Sequence, residues 1–307
     1  MKNAGKEGRR RAVDAVPSRL AALAIGTTLL SAHPVQANSR PAQREEKPPE
    51  TAAAVPLASA AFPEGTVTVA PGTPSSEFTN FTMLYDTKDG RASSFVFSGP
   101  PDAGEVLAVL PGRERAVVVT ESSIIITLGY KAAARGQRNL NMEGRELDGN
   151  TYYYSLPEDV RGTEELPDGR VVPKLLSATM VEDQDGRGAT LFFIGRNGGL
   201  RATRVERFSE PYAVANIQVN EDARLLNAGS VAILAEPGRN VMLALAADFE
   251  SHMIVREPIA LPAAAEGRPE IRGNGRDIIL SFNNMSLLVL VGEPGNPHSV
   301  AIATVEQ

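Results

Sequence analysis

From Gly65 onward the chain is a succession of short runs rich in Val, Ile, Thr, Phe and Tyr, each cut off by a glycine-containing turn. Examples are "TVTVA" (66–70), "FTMLYDT" (81–87), "RAVVVTE" (115–121), "SIIITLGY" (123–130), "ATLFFIG" (189–195), "NVMLALAAD" (240–248), "SLLVLVG" (286–292) and "SVAIATV" (299–305). Runs of this length and residue type are strands. Asp89-Gly90, Asp148-Gly149, Asp168-Gly169, Asp185-Gly186 and Asn197-Gly198 supply the positive φ of tight hairpins. Pro111-Gly112, Pro237-Gly238 and Pro294-Gly295 match type II turns. Only "YKAAARG" (130–136) and "PAAAEG" (262–267) suggest a helical turn, and neither carries an apolar face. The fold class is therefore all-β.

Four segments repeat one form, an apolar strand, a short turn and a second apolar strand. They begin at Ala116, Ala189, Val231 and Asp277. The last two intervals match the 40–50 residues of a four-stranded propeller blade, and the longer first interval leaves room for an insertion. Strands apolar on both faces suit the inner positions of blades sandwiched between neighbours. The expected architecture is propeller-like with about five four-stranded blades over residues 64–307, and two packed β-sandwich domains are the alternative. Residues 131–174, the longest stretch of weak strand character, are the expected functional insertion, since binding residues concentrate on loops carried by rigid scaffolds. The absence of Trp rules out Trp-Asp repeats, and a Gly-Gly doublet occurs once, at Gly198-Gly199.

Two segments of different character precede the strands. Lys2, Lys6, Arg9, Arg10, Arg11 and Arg19 lead into a mostly apolar run from Leu20 to Ala32, followed by the small-residue site Val35-Gln36-Ala37. A basic region, a short apolar region and a small-residue cleavage site describe a secretory signal peptide, 1–37, removed after Ala37. The run is shorter than the roughly 20 apolar residues of a membrane span, so no stable span is expected after cleavage; an N-terminal membrane anchor is the alternative. Arg9-Arg10-Arg11 allows twin-arginine export, although Asp14 and the missing Phe-Leu depart from that pattern. Residues 38–63 carry five prolines, many alanines and no hydrophobic period, the composition of a disordered linker.

Composition narrows the chemistry. With no cysteine, the chain has no disulfide, thiolate nucleophile, Cys-zinc site or lipoprotein anchor. The formal charge is −6, and residues 1–37 hold six basic and two acidic residues, a net of +4, which leaves −10 for the remainder. A body that acidic repels phosphate backbones, so nucleic acid is not an expected partner. No cofactor motif is present: "GRNGG" (195–199) follows a strand but lacks the helix whose N-terminus would hold phosphate.

Candidate site residues are correspondingly few. Of three histidines, His33 lies in the signal, while His252 and His298 belong to no His-x-x-x-His pattern, and no Gly-x-Ser-x-Gly elbow nominates a serine. In "VEDQDGRG", Glu182, Asp183 and Asp185 could offer oxygens to a hard cation such as calcium, although Arg187 interrupts a full loop. Asp86 and Asp89 in "YDTKDGR" form a similar but poorer pair, and Asp248 with Glu250 could serve a glycosidase only if tertiary structure brought a second acid near. Tyr152-Tyr153-Tyr154 is the densest aromatic feature. Strand alternation places Tyr152 and Tyr154 on one face, from which they could stack on a sugar or grip a protein. The sequence thus favours an exported, non-enzymatic binding module of a bacterial periplasm or cell envelope, with a protein or glycan partner. The alternatives are an extracytoplasmic hydrolase of a sugar or phosphoester using loop-end carboxylates, and a structural subunit of a surface assembly.

Overall fold

A computed structural model describes residues 58–62, 65–70, 75–113, 115–129, 151–183, 188–205, 212–273 and 278–305. The expected signal peptide and most of the expected linker lie outside the described residues.

The strands form five consecutive four-stranded antiparallel meanders, each ordered as in the sequence; three are separate sheets and two are joined edge to edge in one eight-stranded sheet. Blade 1 comprises β1 (Ala58–Phe62), β2 (Gly65–Ala70), β3 (Thr79–Thr87) and β4 (Ala92–Gly99). Blade 2 comprises β5 (Val106–Pro111), β6 (Arg115–Thr120), β7 (Ser123–Leu128) and β8 (Thr151–Ser155). A two-stranded ribbon, β9 (Thr163–Glu165) and β10 (Val171–Pro173), intervenes. Blade 3 is β11 (Leu175–Glu182), β12 (Ala189–Gly195), β13 (Gly199–Arg204) and β14 (Ala213–Asn216). Blade 4 is β15 (Arg224–Asn227), β16 (Ala232–Glu236), β17 (Val241–Asp248) and β18 (Met253–Pro258). Blade 5 is β19 (Glu270–Arg272), β20 (Ile279–Ser281), β21 (Ser286–Val291) and β22 (Val300–Val305). Sequential meanders of this kind are propeller-like, and they lack the long return connections of sandwich topology.

The four repeated segments of the sequence are the second and third strands of blades 2 to 5. Their continuous apolar character follows from burial on both faces. In β6, Ala116 and Val118 pack towards blade 1 while Val117 and Val119 pack towards blade 3. Similar clusters join blades 3 to 4 and 4 to 5. Blade 1 escaped the repeat because only one of its faces is covered: Val67, Val69, Phe81 and Met83 are buried, whereas Thr66, Thr68, Asn80 and Thr82 alternate with them and are not.

Adjacent blades are also pinned by hydrogen bonds. Every connection between blades runs at the end that bears the turn between second and third strands. Ser122 N donates to Ala103 O at 3.1 Å, Gly162 N to Glu121 O at 2.7 Å, Ile217 N to Gly198 O at 2.9 Å, and Asn284 Nδ2 to Ala264 O at 2.6 Å. At Gly198, φ is +80° and an added Cβ would stand 2.0 Å from the Ile217 carbonyl oxygen, so this contact needs glycine twice over.

Several local expectations change. Strand β1 lies within the segment read as linker; its alanines are weak strand formers, and full backbone pairing with β2 sets its conformation. The segment 262–267 makes a turn and no helix; 130–136 lies outside the described residues. Of the three Pro-Gly turns, only Gly295 has positive φ, at 73°. Pro237–Arg239 is instead a single 3₁₀ turn, with Asn240 taking the left-handed position at φ 52°.

Two substitutions test the two-sided burial. Phe193, fully buried between blades 2 and 3, should cost about 3–5 kcal/mol on replacement by alanine. Val96, 64% exposed on blade 1, should tolerate threonine within about 0.5 kcal/mol. Urea denaturation measures both.

Candidate functional site

Blades 3 and 4 enclose a wedge. Their first strands, β11 and β15, touch along one margin. Along the other, β14 and β18 meet in parallel at Val214 and Met253, where Val214 N donates to His252 O at 3.1 Å. Apolar side chains fill the wedge, but at the end bearing the β11–β12 and β17–β18 hairpins a cavity of about 270 Å³ remains. Its floor is Val181, Phe192, Ala232 and Leu245, all part of the buried cluster between the two blades. Thr190, Ser230 and Ala247 line the walls, and Pro294 and Gly295 of blade 5 reach its edge.

Charge is concentrated at the mouth. Arg204, ending β13, lies with its guanidinium 5.0 Å from the ring centroid of Phe249 and 3.8 Å from the carboxylate of Asp183. Glu182, at the end of β11, accepts a hydrogen bond from the backbone N–H of Arg113 in the β5–β6 turn at 2.8 Å. That contact explains Gly112 better than turn type does: a Cβ there would stand 2.4 Å from the Glu182 carboxylate oxygen. Asp183 N donates to Gly188 O, closing the hairpin.

Of the three acids nominated by the sequence, Glu182 and Asp183 therefore share the cavity mouth, and Asp185 lies outside the described residues. Among the described residues no three His, Cys, Asp or Glu side chains gather as a metal-ligand set. Arg204 and Phe249 were not legible in the sequence: "LRATRVERF" (200–208) reads as one strand with Arg204 inside it, and nothing linked it to Phe249.

The tyrosines alternate as expected. Tyr152 and Tyr154 lie opposite Ile126 and Ile124, whose side chains belong to the blade 2–3 cluster, while Tyr153 lies opposite Ile125, on the blade 1 side. Tyr154 packs against the cluster, and Tyr152 is 49% exposed at the rim. Elsewhere in the expected insertion, Asp159 and Arg201 form an ion pair at 2.7 Å in an open groove with Pro157, Glu158 and Tyr212. The histidines are apart: His298 Nδ1 lies 3.1 Å from Glu257, and His252 occupies a left-handed position at φ 57° in the β17–β18 turn.

That turn borders the cavity through Phe249, and Asp248 organises it. Asp248 accepts from Ser251 Oγ at 2.7 Å and from the backbone N–H groups of Glu250 and Ser251 at 2.9 and 3.2 Å. These bonds, led by the Ser251 hydroxyl, hold its carboxyl below the usual carboxylate range. Similar local bonds lower Asp89, Asp168 and Glu270.

No protein-family model matches the sequence, and no curated protein matches it. Among solved structures, it is similar to a candidate 6-phosphogluconolactonase of Bacteroides fragilis, with 10% identity, 81% of this chain and 86% of that one covered and a TM-score of 0.33. It is also similar to a luciferin-regenerating enzyme, with 11% identity, coverage of 77% and 75% and a TM-score of 0.36. A third is PorZ, a surface component of the type-IX secretion system of Porphyromonas gingivalis, with 10% identity, coverage of 80% and 32% and a TM-score of 0.33. Similarity at this level says nothing about what the chain binds.

Replacing Ser251 by alanine should raise the Asp248 carboxyl pKa towards its ordinary value, read by NMR titration of the side-chain carboxyl. The lowered pKa means that this turn's contribution to stability is present above the ordinary carboxylate pKa. It is lost as pH falls through the lowered value, and Ser251→Ala should flatten that acid-side dependence.

Proposed function

We propose that the chain is an exported, non-enzymatic binding module of a bacterial periplasm or cell envelope, and that the cavity between blades 3 and 4 receives its ligand, part of a protein or glycan. The cavity carries this reading. It combines an apolar floor, two carboxylates, a hydroxyl-lined wall and a guanidinium fixed by a ring and a carboxylate, the mixture by which small-ligand sites bind and orient. At about 270 Å³ it falls just below the roughly 300–1,000 Å³ of drug-sized pockets, so it suits a side chain or a terminal group. Export rests on the basic, apolar and small-residue pattern of residues 1–37. Among the described residues no helix is long and apolar enough to cross a membrane. Tyr152, exposed on the rim of blade 2, offers an aromatic surface to the same partner.

Export is tested by fractionation and N-terminal sequencing: the exported form should begin at Asn38, and exported material retaining Met1 would refute signal cleavage. Binding is tested by a thermal-shift screen of envelope oligosaccharides and short peptides. Hits should vanish when Ala247→Phe fills the cavity. Turnover of a glycoside or phosphoester that is lost in Glu182→Gln would replace the binding reading with the hydrolase.

A further inference from the structure

We infer that the groove between blades 2 and 3 is a second binding site, and that it takes an uncharged sugar through two adjacent hydroxyl groups. This goes beyond the cavity reading and does not depend on it. The groove originates in the way the two blades are joined. Among the described residues β8 pairs only with β7, while β14 is joined to β13 and β18, so no strand pairing closes the outer margin between blades 2 and 3. Pro157, Glu158 and Asp159 on one side and Arg201 and Tyr212 on the other line a space of about 470 Å³, within the roughly 300–1,000 Å³ of small-molecule sites. These residues are held before any ligand arrives. Arg201 sits in the middle strand of three, opposite Phe193 and Val214. Leu156 N donates to Ser122 O at 2.8 Å and Val160 N to Pro157 O at 3.0 Å, which fixes the turn that carries Asp159. The Tyr212 ring stands edge to face with Phe193, their centroids 6.1 Å apart.

The ligand class follows from what the Asp159–Arg201 pair leaves over. Arg201 Nη2 and Nε both donate to one carboxylate oxygen, Asp159 Oδ2, at 2.7 and 3.3 Å. Among the described residues Asp159 Oδ1 accepts no hydrogen bond and Arg201 Nη1 donates none, and the two side chains are 31% and 27% exposed. An acceptor and a donor thus stand side by side, each with capacity remaining. Two adjacent hydroxyls fit that pattern, one donating to Asp159 and the next accepting from Arg201, since a hydroxyl does both. Charged ligands fit less well. An anion has to displace Asp159 while standing beside Glu158. A cation drawn to the carboxylates is opposed by Arg201 and leaves its spare N–H groups without an acceptor. Pro157 and Tyr212 supply carbon surface for the C–H face of the same sugar ring. Hydrogen bonds to charged groups are the stronger kind, and partners already in place lower the ordering cost of binding.

A groove open along one side holds a ligand weakly, and near half-saturation such a ligand moves the melting temperature little. Binding to the full chain is therefore followed by NMR titration at Val160, Arg201 and Val214. Methyl β-glucoside is compared with glucuronate, glucosamine, tetrahydropyran-2-methanol and a Gly-Ser-Gly-Ser-Gly peptide. The glucoside should perturb these signals and bind several-fold more tightly than each of the others. Asp159→Asn and Arg201→Lys should each weaken it about tenfold, and Ala247→Phe in the cavity should leave it unchanged. Equal binding of glucuronate or glucosamine overturns the uncharged class, and equal binding of tetrahydropyran-2-methanol overturns recognition through adjacent hydroxyls. Equal binding of the peptide replaces the sugar with a polypeptide partner. Silence of all five probes at these signals, or indifference to both substitutions, overturns the site while leaving the cavity reading intact. Loss of glucoside binding in Ala247→Phe overturns it as well and returns the sugar to the cavity.

Discussion

The second and third strands of each inner blade are buried on both faces, and the rest of the molecule follows from that. A strand covered on one side alternates apolar and polar residues; a strand covered on both cannot. β6 and β7 are buried almost throughout, with Val117, Val119, Ile124 and Ile126 facing blade 3 and Ala116, Val118 and Ile125 facing blade 1. Neither blade is a stable object alone, because each leaves an apolar face that only its neighbour removes from water. Stability is therefore shared between neighbours. Replacing a core residue at one interface, such as Phe193, affects two blades, and exposed rim positions such as Val96 affect neither.

Burial alone would let blades slide, since apolar contact is non-directional. The connections remove that freedom. Each returns to the end bearing the second-to-third strand turn and donates or accepts there, as with Gly162 and Glu121, or Ile217 and Gly198. Between blades 3 and 4 the connection is reinforced by carboxylates. Asp222 accepts from Gly238 N at 2.6 Å and pairs with Arg268 at 3.0 Å, and the nearly buried Glu236 accepts from Asn220 N at 3.2 Å. Bonds of charged acceptors to backbone amides are among the stronger ones available to a protein. One end of the array is thereby fixed, which leaves the hairpin end as the place where side chains can vary without loosening the blades.

What the sequence disclosed, and what it hid, divides along the same physical line. The inner hairpins were legible because two-sided burial writes an uninterrupted apolar run. The first strands were not: Arg224–Asn227 and Glu270–Arg272 are short, with only one or two apolar residues between polar ends, too few to show a strand period. Blade 1 went unseen as a repeat because its open face carries threonine and asparagine. The acids of the β11–β12 turn were legible as chemistry, and Glu182 and Asp183 do border the cavity. Arg204 and Phe249 could not have been joined to them, because only the folding of blade 4 against blade 3 brings the β17–β18 turn over the end of β13.

The cavity itself follows from wedge geometry. Two sheets that touch at their first strands and are bridged at their last must be filled by side chains that grow and shrink with the gap. Phe192 and Leu245 fill the interior, but the residues nearer the mouth are Thr190, Ser230, Ala246 and Ala247. Those small side chains leave a void that larger ones at the same positions would close. Its walls have low polarisability, so charges at its rim act on an occupant more strongly than they would on an open surface. Glu182 is held there by blade 2 through the Arg113 amide, and Arg204 by blade 4 through Phe249. Glu182 and Arg204, both carried by blade 3, are thus positioned by its two neighbours. Splaying of blades 3 and 4 would therefore draw Phe249 away from Arg204 and open the wedge at this end.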